Sequence, residues 1–101
     1  MNKVGLLDCT LRDGGYVNDF AFGKDCMVAI LKNLQDANIE IAECGFLKSG
    51  ETDPDKSLFG SVEAVKPLLP EHKGAKTMFV AMIAYGDISE AEISPCDGTS
   101  V

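Results

Sequence analysis

Apolar and polar positions alternate between two periods along this chain, and that change of period predicts its elements. Residues 4–7 and 77–84 are apolar runs without alternation, the pattern of parallel strands covered on both faces. Residues 39–44 alternate instead. Ile39, Ile41 and Glu43 share one side of an extended chain, and Glu40, Ala42 and Cys44 share the other. This places Glu43 at the C-terminal end of the second strand. Between the strands the period becomes helical. Met27, Ile30, Leu31 and Leu34 fall at i, i+3, i+4 and i+7, which predicts a helix over about 24–37 with Asn38 as its stop. Leu58, Val62, Val65 and Leu69 trace a second helix from near Ser57, which Pro67 ends or kinks near Lys66. Residues 71–74 read as an exposed turn. Ser89 is placed to cap a short helix through Ile93, which Ser94-Pro95 breaks.

Strand, helix, strand, helix, strand is the order of an α/β protein with a parallel sheet and right-handed crossovers. Three such strands leave open edges and an inner face with nothing to pack against. A (β/α)8 barrel needs about 250 residues, and the chain has 101, closing on Asp97-Gly98-Thr99-Ser100-Val101 without a closing helix. The expectation is the N-terminal βαβαβ portion of a TIM (β/α)8 barrel, with residues 1–101 an incomplete catalytic domain. The segment 10–23, with Tyr16, Asn18, Asp19, Phe20 and Phe22, reads as a long loop of the kind that carries function.

Composition narrows the partners. The apolar fraction of 46% with 25% charged residues is that of a folded globular chain. Net charge is 9 − 16 = −7, which argues against nucleic acid or an anionic membrane as partner. Cys9, Cys26, Cys44 and Cys96 form no CxxC pair, so they read as reduced thiols of a cytoplasmic protein. No secretory leader opens the chain, and no apolar run approaches the roughly 20 residues of a membrane span.

The chemistry gathers at Asp8-Cys9-Thr10-Leu11-Arg12-Asp13-Gly14-Gly15, directly after the first strand. On extended backbone the adjacent Arg12 and Asp13 would point in opposite directions and serve different partners. Gly14 and Gly15 would let the chain turn sharply around whatever that pair holds. A strand that ends in polar groups at a glycine turn is where α/β proteins place ligands.

Asp8-Cys9-Thr10-Leu11-Arg12-Asp13-Gly14 resembles the D-x-T-L-R-D-G signature of the DRE-TIM metallolyases. These include 4-hydroxy-2-oxovalerate aldolase, hydroxymethylglutaryl-CoA lyase and the isopropylmalate, homocitrate and citramalate synthases. Residues 39–46, Ile39-Glu40-Ile41-Ala42-Glu43-Cys44-Gly45-Phe46, are similar to that family's second strand, whose end also carries an acidic residue. The resemblance implies a barrel enzyme that makes or breaks a carbon–carbon bond beside a carbonyl. It implies Asp13 as a ligand of a divalent metal, Mn²⁺ or Mg²⁺, and Arg12 as the contact to the carbonyl oxygen of a bound 2-oxo acid. Glu43 would orient Arg12 or lie beside the substrate, and Asp8 and Thr10 would hold the turn by hydrogen bonds. It further implies a homo-oligomer or a partner dehydrogenase in the full-length protein. The family's His-x-His metal ligands come from a late strand, so residues 1–101 alone are expected to be inactive.

The continuation Gly15-Tyr16-Val17-Asn18 departs from the family. The synthases continue with Glu-Gln and the aldolases with Met-His, whose histidine is a candidate acid/base. Tyr16 stands as a substitute at the substrate. The reading is an aldolase that cleaves a 4-hydroxy-2-oxo acid to pyruvate and an aldehyde. The alternatives are an acyl-CoA condensing synthase on the same barrel, the barrel with its motif turned to another task, and a non-catalytic α/β binding module. Blander accounts stand beside these roles. Outside its motif Arg12-Asp13 would read as a structural ion pair at a strand end, and Glu43 also reads as a solvated strand end. His72 reads as a surface residue, and the Met27 stripe as core. Cys44 and Cys96 would fall near the mouth of such a barrel, with no base in sight for a nucleophile. Lys48 and Lys56 would steer an anionic substrate or simply be solvated.

Overall fold

The computed structural model describes residues 4–71, 76–95 and 101; His72 and Cys96 lie outside them. Among the described residues four strands form one parallel sheet: β1 (Leu7–Asp8), β2 (Ile41–Leu47), β3 (Leu58–Phe59) and β4 (Met78–Ile83). β2 is its centre. β4 runs along one edge of β2, pairing Ile41 with Met78 at one end and Leu47 with Ile83 at the other. β1 and β3 follow each other along the opposite edge, at Ile41–Ala42 and at Phe46–Leu47 respectively. The α/β class and the parallel sheet therefore hold.

The elements differ in detail from their periodicities. β1 is shorter and later than expected because the Leu6 N–H donates to the Glu40 carboxylate (2.8 Å) instead of to a neighbouring strand. β2 runs three residues past Cys44, so Glu43 stands mid-strand and not at the strand's end. β3 occupies positions expected to open the second helix. The register pairs Leu58 and Phe59 with β2, and helix α2 (Val62–Val65) starts only after Ser61, whose Oγ accepts the Ala64 N–H (3.3 Å). α2 continues as a 3₁₀ turn, Lys66–Leu68, with Pro67 inside it. Ser89 caps a single 3₁₀ turn, Glu90–Glu92, through a reciprocal capping box with Glu92.

Helix α1 (Lys24–Asp36) is as its stripe predicts. Its end is a Schellman motif: Ile39 N–H bonds the Leu34 carbonyl and Asn38 N–H the Gln35 carbonyl, with Asn38 at φ 58°. Its start is held from a distance, because Asp55 accepts the Lys24 N–H on Oδ1 (3.1 Å) and the Gly23 N–H on its carbonyl (2.9 Å). Met27 and Leu31 of α1, with Val65 and Leu68, pack on Ala42, Cys44, Leu47 and Phe79. These strand residues belong to one face of the sheet. The other face carries Leu7, Ile41, Met78, Val80 and Met82 by the register, and Leu7 and Met78 are 52% and 59% exposed. β4 is thus covered on one face only among the described residues, unlike the two-sided burial its apolar run suggested. No helix among the described residues is long and apolar enough to cross a membrane.

Candidate functional site

Past β1 the backbone coils instead of extending. Asp8 accepts the Thr10 N–H on Oδ1 and the Thr10 hydroxyl on Oδ2, both at 3.0 Å, which turns the chain as expected. The Cys9 carbonyl then gathers three amides, from Arg12 (3.2 Å), Asp13 (2.8 Å) and Gly14 (3.3 Å). Arg12 is in the right-handed helical region, and Asp13–Val17 form a 3₁₀ helix. Arg12 and Asp13 therefore do not diverge as on a strand; Arg12 Nη1 lies 3.7 Å from Asp13 Oδ1.

Leu11 is fully buried, and its carbonyl accepts the Ser57 hydroxyl at 2.6 Å. This buried bond anchors the motif to the start of β3. Gly15 is required for space and not for its angles. A Cβ there would collide with the Cδ1–Cε1 edge of the Phe20 ring. Asp19 and Phe20 are instead the residues with left-handed backbone, φ 55° and 61°. That conformation is costly for side-chain-bearing residues. Phe20 is held in it by its own N–H on the Gly15 carbonyl (2.8 Å) and by its carbonyl on the Ser57 N–H (3.0 Å). Segment 10–23 is thus a pinned turn.

β2 supplies the facing residues through a bulge. Glu43 pairs with Val80 and Phe46 with Met82, so Cys44 and Gly45 together oppose the single residue Ala81. Gly45 takes φ 146° where the Ser57 carbonyl crosses so closely that a Cβ would collide with it. Val80 and Met82 lie on one face of β4, so Glu43 and Phe46 share a face although three residues apart.

Glu43 receives Arg12. Its Oε2 accepts from Nε at 2.6 Å and its Oε1 from Nη2 at 3.5 Å. The Glu43 side chain is 7% exposed, which removes the solvated-end reading, and the Arg12 side chain is 24% exposed. The hydrogen bond to Glu43 holds the Arg12 pKa above its ordinary value, against partial desolvation, and the charges of Glu43 and Asp13 add to it. Of the five guanidinium donors, Glu43 takes one edge. The Nη1 side remains beside Asp13, beyond hydrogen-bond length from it.

Tyr16 packs edge-to-face on Phe20 (centroids 5.1 Å, 68°) and on Phe46 (6.3 Å, 71°), and these two rings meet at 5.8 Å. Tyr16 remains 69% exposed. Arg12, Asp13 and Glu43 are thus brought together, and Tyr16 stands one 3₁₀ turn beyond Asp13.

No family model, no curated protein and no solved structure matches the chain.

Among the described residues no three His, Cys, Asp or Glu side chains gather into a metal-binding group. Asp13, the expected metal ligand, supplies one hard oxygen donor of the several that Mn²⁺ or Mg²⁺ takes. It is a carboxylate donor, 66% exposed, whose oxygen is not hydrogen-bonded to Arg12. It would be one ligand of several. Cys44 is no nucleophile: its thiol is buried among the core residues, and burial pushes its pKa up to about 12. Lys56 Nζ donates to Asp19 Oδ2 at 2.9 Å, a surface ion pair whose aspartate is 85% exposed. Lys48 is exposed. Ser57 is the residue that sequence reasoning missed. A serine before an apolar residue carries no signal that its hydroxyl reaches back 46 positions to the motif.

Proposed function

We propose that this chain is the opening portion of a (β/α)8-barrel carbon–carbon lyase, in which Arg12 stabilises the enolate formed when a 4-hydroxy-2-oxo acid is cleaved to pyruvate and an aldehyde. The observation that carries this reading is the clamped guanidinium. Glu43 fixes Arg12 from one edge and leaves its other edge beside Asp13, next to the end of a parallel strand. The open apolar face of the sheet, with Leu7, Met78 and Met82, supports the barrel half of the reading, because a closing barrel covers such a face.

In the retro-aldol step the C4 hydroxyl gives up its proton and the C3–C4 bond breaks. The bond's electron pair passes into C2–C3, charge collects on the C2 oxygen, and protonation at C3 releases pyruvate. Donors already oriented at that oxygen lower the barrier because nothing must reorganise as charge develops. Arg12 supplies such donors, always charged and planar. Asp13 would help hold a divalent cation, which supplies Lewis-acid polarisation of the same carbonyl when bound. Tyr16 borders the substrate.

The test is pyruvate release from 4-hydroxy-2-oxo acids by the full-length gene product with Mn²⁺. Removing one oriented donor costs about 10²–10³ in kcat, so Arg12→Ala should lose at least that much, and Asp13→Ala should lose activity together with its Mn²⁺ response. Glu43→Gln, which keeps shape but drops the charge that orients Arg12, should lower kcat more than it raises KM. Unchanged activity in both Arg12→Ala and Asp13→Ala would remove the site assignment. Thiol release from acetyl-CoA with a 2-oxo acid would replace the aldolase by a condensing synthase.

A further inference from the structure

On the helix-covered face of the sheet, between the start of α1 and the segment around α2, lies a cavity of about 190 Å³ that opens to solvent. Its floor is apolar. Phe59 of β3, Ala64 of α2 and Leu68 of the following turn line it, and Phe59 and Leu68 belong to the buried core. Its rim is polar and comes from elsewhere in the chain: Lys24, the first residue of α1, and Thr52 and Asp53 from the segment before β3. Phe59 pairs with Leu47, on the face opposite Glu43, so the cavity is separate from the Arg12 clamp. Closure of a barrel would cover the Glu43 face and leave this one on the side of the helices.

The rim decides the chemistry of the ligand. Lys24 and Asp53 are exposed, and among the described residues neither forms an ion pair, with the other or with a third residue. Asp53 commits Oδ1 to the Asp55 N–H (2.9 Å) and keeps Oδ2. Thr52 accepts the Gly60 N–H on Oγ1 (2.7 Å), which leaves its hydroxyl proton to donate. The first amide of α1 is not the anchor, because the Lys24 N–H already reaches Asp55 Oδ1 (3.1 Å). A cation and a carboxylate, unpaired and apart, over an apolar floor complement a small head that carries both charges and an apolar tail. A simple acid or a simple amine satisfies only one of the two. An apolar cavity of about 150 Å³ takes up a benzene ring, so this volume suits a tail the size of a leucine or phenylalanine side chain. We infer that the cavity is a binding site for an apolar α-amino acid. Its carboxylate takes Lys24 and the Thr52 hydroxyl, its ammonium takes Asp53, and its side chain lies on Phe59 and Leu68. The site stands independently of the lyase reading.

The test is calorimetric titration of the full-length gene product with L-phenylalanine and L-leucine, beside L-serine, 3-phenylpropanoate and 2-phenylethylamine. Saturable binding of at least one apolar amino acid is expected. Serine, which has no tail to bury, should bind at least about tenfold more weakly. The acid and the amine, each lacking one charge, should bind about two- to fivefold more weakly than phenylalanine. Lys24→Met should weaken the amino acid about two- to fivefold and leave 2-phenylethylamine unchanged, and Asp53→Asn should weaken it similarly and leave 3-phenylpropanoate unchanged. Both positions are exposed, and asparagine keeps the Oδ1 that accepts the Asp55 N–H, so both variants should fold. No saturable binding of either apolar amino acid would overturn the site. So would serine, the acid or the amine binding as tightly as phenylalanine, or an amino-acid affinity that ignores either substitution.

Discussion

Substituting Gly15 by alanine tests the packing on which the site depends, because two opposing effects can be weighed from the structure. Gly15 is not among the glycines with positive φ, so alanine can adopt its backbone angles. At such a position Gly→Ala stabilises a protein by about 0.4–1 kcal/mol, by narrowing the unfolded ensemble. Against that, the new methyl would overlap one edge of the Phe20 ring, at Cδ1, Cε1 and Cγ. Overpacking of this kind costs about 1–3 kcal/mol. The ring is held on one side by its edge-to-face contacts with Tyr16 and Phe46, and its backbone is tied at both N–H and carbonyl, so relief requires the cluster to shift. The net expectation is a loss of about 1–2 kcal/mol, a factor of about 5–30 in the folded-to-unfolded ratio. Urea denaturation of the full-length gene product, followed by far-UV circular dichroism, should show a lower midpoint at unchanged slope. The decisive comparison is the same substitution in a Phe20→Ala background. There the obstructing ring is gone, only the unfolded-state term remains, and Gly15→Ala should change sign and stabilise by about 0.4–1 kcal/mol. Equal costs in the two backgrounds, or a Gly15→Ala chain as stable as its parent, would refute the claim that Gly15 is there to admit Phe20.

Ser57→Ala removes the 2.6 Å donor to the buried Leu11 carbonyl and should cost about 1–3 kcal/mol, read as a lower urea midpoint. Because the Cys44 pKa is raised in the folded chain to about 12, the unfolded chain loses that proton first as pH rises. Cys44 thus contributes stability below about pH 8.5 that is lost progressively toward pH 12, at up to about 1.4 kcal/mol per pH unit. The difference in stability between the parent and Cys44→Ala should carry that slope, and a flat difference would sink the assignment. For the same reason iodoacetamide at pH 8 should alkylate the exposed Cys26 well before Cys44, with the two rates converging in urea, as mass spectrometry would show.

The parts legible in the sequence are those whose cause is local. The Met27-to-Leu34 stripe and the Asn38 stop were readable because helix period and helix termination depend on neighbours within one or two turns. Glu43 as a partner of Arg12 was readable for a related reason. Once two strands are parallel and Asp8 lies beside Ala42, the next residue of β2 is the one a turn after β1 can reach. The failures share the opposite cause. The strand β3 is two residues long, and it exists because the Ser57 carbonyl and the Phe59 carbonyl accept from Phe46 and Lys48, contacts no periodicity records. Arg12 and Asp13 read as extended and diverging because adjacent residues on a strand diverge, whereas the Cys9 carbonyl collects three amides and coils them.

The bulge at Cys44–Gly45 is the deepest of these omissions, because it determines which chemistry is adjacent. On an unbroken strand Glu43 and Phe46 would face opposite sides of the sheet, and Arg12 would be clamped on one while the rings gathered on the other. The extra residue brings them to one side, and its cause is steric: only a residue without a Cβ lets the Ser57 carbonyl cross at Gly45. The same Ser57 fixes Leu11 through its hydroxyl and Phe20 through its amide. One buried serine therefore sets three things at once: the turn that carries Arg12, the backbone angle that presents Phe20, and the bulge that aligns Phe46 with Glu43. The charged clamp and the aromatic wall are consequences of a single backbone crossing, so a substitution that shifts that crossing should move both.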